Sequence, residues 1–260
     1  MTSLIAWDNY AKTATITANS AVLSAANVAG DQGSAANAWQ TAAGVTTPAA
    51  GALIKVVPTI AGNTWQAAGL FRTNLTASAV VNFALWNGGA TPVGVWSANA
   101  SPIAGYGQVV VVIPSVAADY LQITINDASN PDGFINVPLL FGGGGWLPAR
   151  AISYSSTVGR DVSQASVTTR GGQERVNLLW RRRRWNIECD SLLSSEIWGT
   201  LDVMLQAVDT GSNALFIPNT SSANLQREAI FGRINATADI TFPYQGADRR
   251  RWSGQITERL

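Results

Sequence analysis

The sequence predicts a mainly β protein built as two β-sandwich domains, the first of jelly-roll type and the second with one packed helix. Three observations predict it. Short runs rich in β-branched and aromatic residues recur along the chain between clusters of Gly, Pro, Asn and Asp, the pattern of strands and their turns. One segment alone, about 194–209, carries a sustained apolar period of three to four residues. The charged residues also change along the chain: residues 1–149 hold three basic and five acidic residues, whereas 150–260 hold fourteen arginines, no lysine and eleven acids. Two such vocabularies indicate two domains, 1–146 and 147–260. "FGGGGWLPAR" (141–150) is the natural seam, its four glycines predicting a hinge or tight turn.

In the first domain the predicted strands are "ALIKVVPTI" (52–60), "AVVNFALWN" (79–87), "GQVVVVIP" (107–114), "DYLQITIND" (119–127) and "FINVPLLF" (134–141). Leu121, Ile123 and Ile125 share one face and Gln122, Thr124 and Asn126 the other, as in a half-buried antiparallel strand. The second domain opens with two extended runs around Gly171 and Gly172, a hairpin because glycine accepts positive φ. A helix follows, with Ser194 available as N-cap, Ile197, Trp198, Leu201, Leu205 and Val208 on one stripe, and Gly211 past its end. "ALFIP" (214–218), "REAIFGRI" (227–234), "ADITFPY" (238–244) and "RWSGQITE" (251–258) supply the remaining strands.

Composition removes several function classes. The chain has no histidine and one cysteine, Cys189, so the commonest general base and metal ligand are missing and no intrachain disulfide or cysteine zinc site can form. Glu188 and Asp190 flank Cys189 and should raise its thiol pKa, leaving it unreactive. No catalytic residue, metal ligand or cofactor is nominated. The N-terminus lacks the basic start and apolar core of a signal peptide, and no run of about 18 apolar residues exists; neither export by such a signal nor membrane insertion is expected. "NDASNPDG" (126–133) offers Asp127 and Asp132 for calcium but is first a polar turn. "GGGG" (142–145) is followed by no Lys-Ser/Thr pair and is not a nucleotide loop.

The order "LSAANVAGDQGSAANAWQT", "LIKVVPTI", "AAGLFRTNLTASAVVNFALW", "ADYLQITINDASNPDGFINVPLLFGG" resembles the galactose-binding-like, discoidin-type jelly rolls over most of residues 15–146. It is similar too to tailed-bacteriophage virion proteins that begin with such a domain. Residues 155–260, with their hairpin, helix, "ALFIP" and "REAIFGRINA" before a last hairpin, resemble the domain that builds phage tail tubes and recurs in distal tail and tail-tip proteins. Distal tail proteins carry the tube-type domain first, whereas here the order is reversed. The resemblance therefore implies a tail-tip or baseplate component of the virion, made in the host cytoplasm. It would be a non-enzymatic ring-former, trimer or hexamer, contacting other tail proteins. The alternative is a carbohydrate-binding module that touches a host surface glycan.

Two sets of residues are candidates for contact. In "WRRRRW", strand alternation places Arg181 and Arg183 with Trp185, and Arg182 and Arg184 with Trp180. Charge on both faces forbids burial without partners. Three readings stay open: a solvated strand protected from aggregation, a subunit interface pairing with Glu174, Glu188 or Asp190 of a neighbour, or DNA binding. The modest positive charge of the domain and the need for DNA to slide through a tail favour the interface, with no specific nucleic-acid binding expected. In the first domain Trp39 and Trp96 fall in loop-like surroundings and could stack on a sugar, while Trp65 and Trp86 fall in apolar strand patterns that predict core.

Overall fold

The computed structural model describes residues 2–242 and 248–259. In chain order the strands are β1 (Leu4–Asn9), β2 (Thr15–Ala18), β3 (Trp39–Gln40), β4 (Leu53–Val57), β5 (Asn63–Phe71), β6 (Val80–Asn87), β7 (Val93–Ala100) and β8 (Gln108–Ala118). There follow β9 (Tyr120–Asn126), β10 (Asn136–Val137), β11 (Leu139–Trp146), β12 (Thr157–Thr168) and β13 (Glu174–Leu193). Helix α1 spans 194–209, and β14 (Asn213–Ile217), α2 (Leu225–Glu228), β15 (Ile230–Thr241) and β16 (Arg249–Glu258) complete the chain. Pro243 and Tyr244 of the predicted strand "ADITFPY" lie outside the described residues. The chain is mainly β and forms two compact units, Met1–Leu147 with Ala214–Ala229, and Pro148–Asn213 with Ile230–Leu260.

The first unit is a sandwich. One sheet runs β14-β1-β11-β5-β8 and the other β2-β4-β9-β6-β7, and one apolar cluster takes residues from both: Trp65, Leu70, Val109 and Leu140 meet Ile54, Phe83, Leu121 and Ile123. The predicted alternation on β9 is realised, with Leu121, Ile123 and Ile125 buried between half-buried Gln122 and Thr124. Trp65 is enclosed, donating its indole N–H to Ala118 O at 3.0 Å and meeting Tyr10 edge-on at 5.1 Å. Such a ring, apolar in body and satisfied at its one donor, contributes about 2–3 kcal/mol through burial. Pro114 is tolerated in β8 because the register with β5 breaks there, between the pairs Trp65–Val116 and Ala67–Val112.

Two expectations about chain organisation are corrected. The four glycines are neither hinge nor turn. They lie inside β11, which pairs with β1 on one side and β5 on the other. A Cβ at Gly143 would collide with the backbone oxygen of Asp8, and one at Gly145 would lie 2.5 Å from Ala6 Cα. At these two positions the backbones approach too closely for any side chain, while Gly142 and Gly144 leave room for the Trp65 ring and the Tyr10 hydroxyl, needs that composition does not distinguish from flexibility. Residues 214–229, which the sequence assigns to the second domain, belong to the first unit. There β14 pairs with β1, Leu4 opposite Ile217. Gln226 donates to Val110 O and accepts from Val110 N, each at 2.7 Å, while Gln108 donates to Gln226 O and Ala229 O.

In the second unit four antiparallel strands run β12-β13-β16-β15. Ile187, Cys189 and Leu192 of β13, Trp252 and Ile256 of β16, and Ile230 and Ile234 of β15 are buried, and the second half of α1 packs against β15. The helix spans the predicted residues with a different cap and face. Leu193 is the N-cap, and the Glu196 carboxylate accepts from Leu193 N at 3.0 Å and from Ala149 N at 2.8 Å, so Ser194 lies inside the first turn. A π turn at Ile197–Leu201 widens the helical period. The buried face is Ile197, Leu201, Met204 and Val208, whereas Trp198 is exposed and Leu205 half-buried. Gly211 closes the end at φ 90°, its N–H donating to Val208 O.

Candidate assembly arm and its arginine ladder

The hairpin β12–β13 extends well beyond the rest of its sheet. Strand β16 meets β13 from Arg184 to Leu193, whereas Glu174–Arg183 pair with β12. At ~3.4 Å per residue this leaves a two-stranded arm about 30 Å long. Its turn is closed by Thr169 N donating to Gln173 O at 2.9 Å, with Gly172 at φ 76°. Along the arm Val162, Val167, Val176, Leu178, Leu179 and Trp180 are exposed. The register shifts between Ser163 and Gln164, so Leu179 is the extra residue of a bulge on β13.

At the base of the arm the arginines meet acids on the two flanking strands. Asp161 of β12 accepts from Arg182 Nε at 3.2 Å and pairs with Arg184 Nη1 at 3.0 Å. These two arginines share a face with Trp180, whose ring centre lies 5.1 Å from the Arg182 guanidinium carbon. Arg183 pairs instead with Glu258 of β16. Its Nε and Nη2 both donate to that carboxylate, which also accepts from Arg183 N at 3.0 Å. With side-chain exposures of 12% and 22%, this fork is the strongest contact of the ladder. The Asp161 pairs involve arginines about two-fifths exposed and contribute at most about 1 kcal/mol. Arg181 is exposed, and Trp185 is half-buried opposite Val158 and Ile256.

Two of the acids named as partners on a neighbour, Glu188 and Asp190, are engaged within the chain. Glu188 accepts from Ser155 Oγ at 2.8 Å and from Arg251 Nη2 at 2.7 Å, and Asp190 pairs with Arg251 Nε at 2.9 Å. The Ser155 hydrogen bond first, then that from Arg251, holds the Glu188 carboxyl below its ordinary range. Sequence reasoning missed Asp161 and Glu258. Their signal was cross-strand register, which a linear pattern does not carry.

The two tryptophans proposed for sugar stacking part company. Trp39 is fully buried, a correction: its indole N–H donates to Ser20 O at 2.8 Å and its ring belongs to the sandwich core. No face is left for a ligand. The surrounding sequence looks like loop, yet short 3-10 turns at Ala25–Ala29 and Ala35–Asn37 precede it, and β3 pairs it with Val137 of β10. Trp96 is half-buried on β7, packed in part on the core, between exposed Val95 and Ser97. Trp86 is half-buried and stacks on Tyr120, ring centres 6.4 Å apart and planes at 6°.

The turn at 126–133 is knit by the chain itself. Asp127 accepts from Thr76 N at 2.9 Å, Thr76 Oγ1 at 2.5 Å and Asn130 Nδ2 at 2.9 Å, and Asp132 accepts from Asn74 Nδ2 at 2.9 Å. Among the described residues no group of three His, Cys, Asp or Glu could hold a metal ion, and no helix is long and apolar enough to cross a membrane. Burial, with Asp190 and Glu196 adding to it, pushes the Cys189 thiol up to about 12, so the thiolate nucleophile is scarce at neutral pH.

No protein-family model matches the chain, and no curated protein sequence matches it. Among solved structures it is similar to the lectin domain of lectinolysin complexed with Lewis B antigen, at 11% identity and TM-score 0.41 over 52% of this chain and 95% of that one. It is similar also to a fucose-binding module of Streptococcus pneumoniae, at 11% identity and TM-score 0.42 over 53% of this chain and 95% of that one. A third is the family 32 CBM of C. perfringens NanJ in complex with galactose, at 15% identity and TM-score 0.41 over 53% and 98%. In each case about half of this chain covers nearly the whole of a smaller module.

Proposed function

We propose that this protein is a non-enzymatic structural component of a bacteriophage tail tip or baseplate, assembling through the arm of its second unit into a ring of three or six copies around the tail axis. The first unit, a jelly-roll sandwich, is the peripheral domain of that ring. The observation that carries assembly is the arm. A two-stranded hairpin is marginally stable in water by itself, and this one exposes six large apolar side chains along its length. Apolar strands left open in this way pair with another chain or aggregate. The phage assignment is supported by the succession of long hairpin, helix and returning strands in the second unit, the order on which the sequence resemblance to tail-tube domains rests. The ladder supports protein contact over DNA contact, because Arg182, Arg183 and Arg184 are already engaged by Asp161 and Glu258.

The test is the solution mass of the full chain by light scattering during size-exclusion chromatography, beside the double variant Leu178→Ser/Leu179→Ser. A trimer or hexamer for the parent and a monomer for the variant support the reading. An unchanged oligomer in the variant removes the arm from it.

A second reading gives the first unit a host-surface glycan as ligand, the class of molecule bound by the modules named above. The observation in its favour is the half-buried Trp96 on β7, whose indole can stack on a pyranose face where it meets solvent; Trp39 no longer contributes. Binding of the full chain to a glycan array, lost in Trp96→Ala with unfolding unchanged, supports it. An array without signal ends it.

A further inference from the structure

Resting on the assembly reading above, we infer that the arm of one copy docks on the exposed side of α1 in a neighbouring copy, a head-to-tail contact between unlike surfaces. Among the described residues of the second unit, exposed large apolar side chains cluster on the arm and are found on the outward side of α1, where Trp198 and Val203 are both more than half exposed. The charges of these two surfaces are opposite. Residues 157–184 hold seven arginines against two acids, whereas 194–209 hold three acids and no base.

The distribution of charge sharpens the match. Glu196 is engaged at the helix cap, which leaves Asp202 and Asp209 to set the sign of the helix surface. On the arm, exposed Arg175 lies opposite Val167 on one face, and exposed Arg181 lies opposite Val162 on the face that also carries Val176 and Leu178, so each face sets cationic groups beside apolar ones, and the face with Leu178 is the one that would lie on Trp198. Pairing two arms with each other would oppose arginine with arginine, which is unfavourable. Pairing arm with helix brings guanidinium to carboxylate and buries a tryptophan, the residue type that most often anchors an interface. A contact between two different surfaces propagates from copy to copy and closes into a ring when the rotation allows it.

The experiment uses the full chain in three forms: parent, the arm variant Leu178→Ser/Leu179→Ser, and the helix variant Trp198→Ala/Val203→Ser. Each is measured by sedimentation velocity at high micromolar concentration, with melting curves to confirm folding. The expected result is an oligomeric parent and two monomeric variants, with a dimer when the variants are mixed in equal amounts, because one keeps its helix and the other its arm. The helix variant should raise the assembly midpoint concentration about tenfold or more. Asp202→Lys/Asp209→Lys, with the apolar residues intact, should weaken assembly in the same direction at low salt and lose that difference at about 1 M salt.

A helix variant that assembles like the parent while the arm variant does not overturns the helix as the docking surface and leaves the assembly reading in place. Two monomeric, folded variants that form no dimer on mixing overturn the head-to-tail arrangement. A monomeric parent, or an arm variant that assembles like the parent, overturns the assembly reading and this inference with it.

Discussion

The two units treat apolar residues in opposite ways. In the first, Trp39, Trp65, Phe83 and Phe141 are enclosed, and the exposed apolar residues, Val22, Ile60, Val80, Val93, Val95 and Leu147, are mostly dispersed along the chain. The second unit has fewer residues, yet Val158, Val162, Val167, Val176, Leu178, Leu179 and Trp180 stand exposed on one hairpin, with Trp198 and Val203 on one helix. A closed core makes a unit sufficient by itself, while clustered exposed side chains mark a unit that completes its packing with a partner. The same sequence therefore holds one unit that encloses its large apolar side chains and one that leaves a cluster of them exposed.

The largest expected effect that would break this contrast is on the closed core. Trp65→Ala should cost about 3–5 kcal/mol of unfolding free energy, by loss of transfer energy and by the cavity left behind. Urea unfolding followed by circular dichroism measures it, and a cost under about 1 kcal/mol would mean that the first unit is not closed around that ring.

A smaller effect is expected at the base of the arm. Glu258→Gln removes the charge that faces Arg183 and should cost about 1–2 kcal/mol, in the range for hydrogen bonds to charged groups. The melting temperature of the second unit should fall while that of the first does not, which differential scanning calorimetry resolves as two transitions moving independently.

Glu188 should show its effect as a pH dependence. Its folded carboxyl titrates below its ordinary range, so its contribution is present above that range and is lost as pH falls through the folded pKa. Glu188→Gln should therefore lower the urea midpoint at pH 7 and lose that effect progressively as pH falls through the folded pKa. A loss that does not change as pH falls would assign the effect to packing instead of to the hydrogen bonds from Ser155 and Arg251.

Least effect on stability is expected on the exposed arm. Leu178→Ser/Leu179→Ser should change unfolding free energy by no more than about 0.5 kcal/mol per site, as for surface positions, even where it abolishes assembly. A large loss of stability in the monomer would show that the arm is folded against its own unit, and the contrast between the units would fall.

Several features were legible without coordinates because they depend on near neighbours. The alternation of Leu121, Ile123 and Ile125 follows from the two-residue period of a strand. The split of the arginine block follows from it too, Arg182 and Arg184 on one face and Arg183 on the other. The rise in the Cys189 pKa was legible in direction, although burial leads its causes and Asp190 only adds to it. The partners of the ladder were not legible, because Asp161 lies 21 residues from Arg182 and Glu258 lies 75 from Arg183. The predicted stripe took in Trp198, one residue past Ile197, and passed over Met204, although the buried residues Ile197, Leu201, Met204 and Val208 themselves follow the ordinary helical spacing. In the candidate site, then, the arginines were visible and their environment was not.

By itself the sequence determined the β-rich character of the chain, the hairpin about Gly171 and Gly172, the span of the helix, and the lack of any histidine on which to build catalysis. Those properties follow from local backbone preference and from composition, which act over a few residues. Only the tertiary structure decided that the four glycines of β11 lie inside a strand where neighbouring backbone or side chains leave no room for a Cβ, that Trp39 is core, that 214–229 belong to the first unit, and that the apolar residues of the arm stay uncovered. Each depends on which distant strands lie side by side. Burial is a property of that pairing, because a side chain is removed from water by neighbours its own segment does not contain.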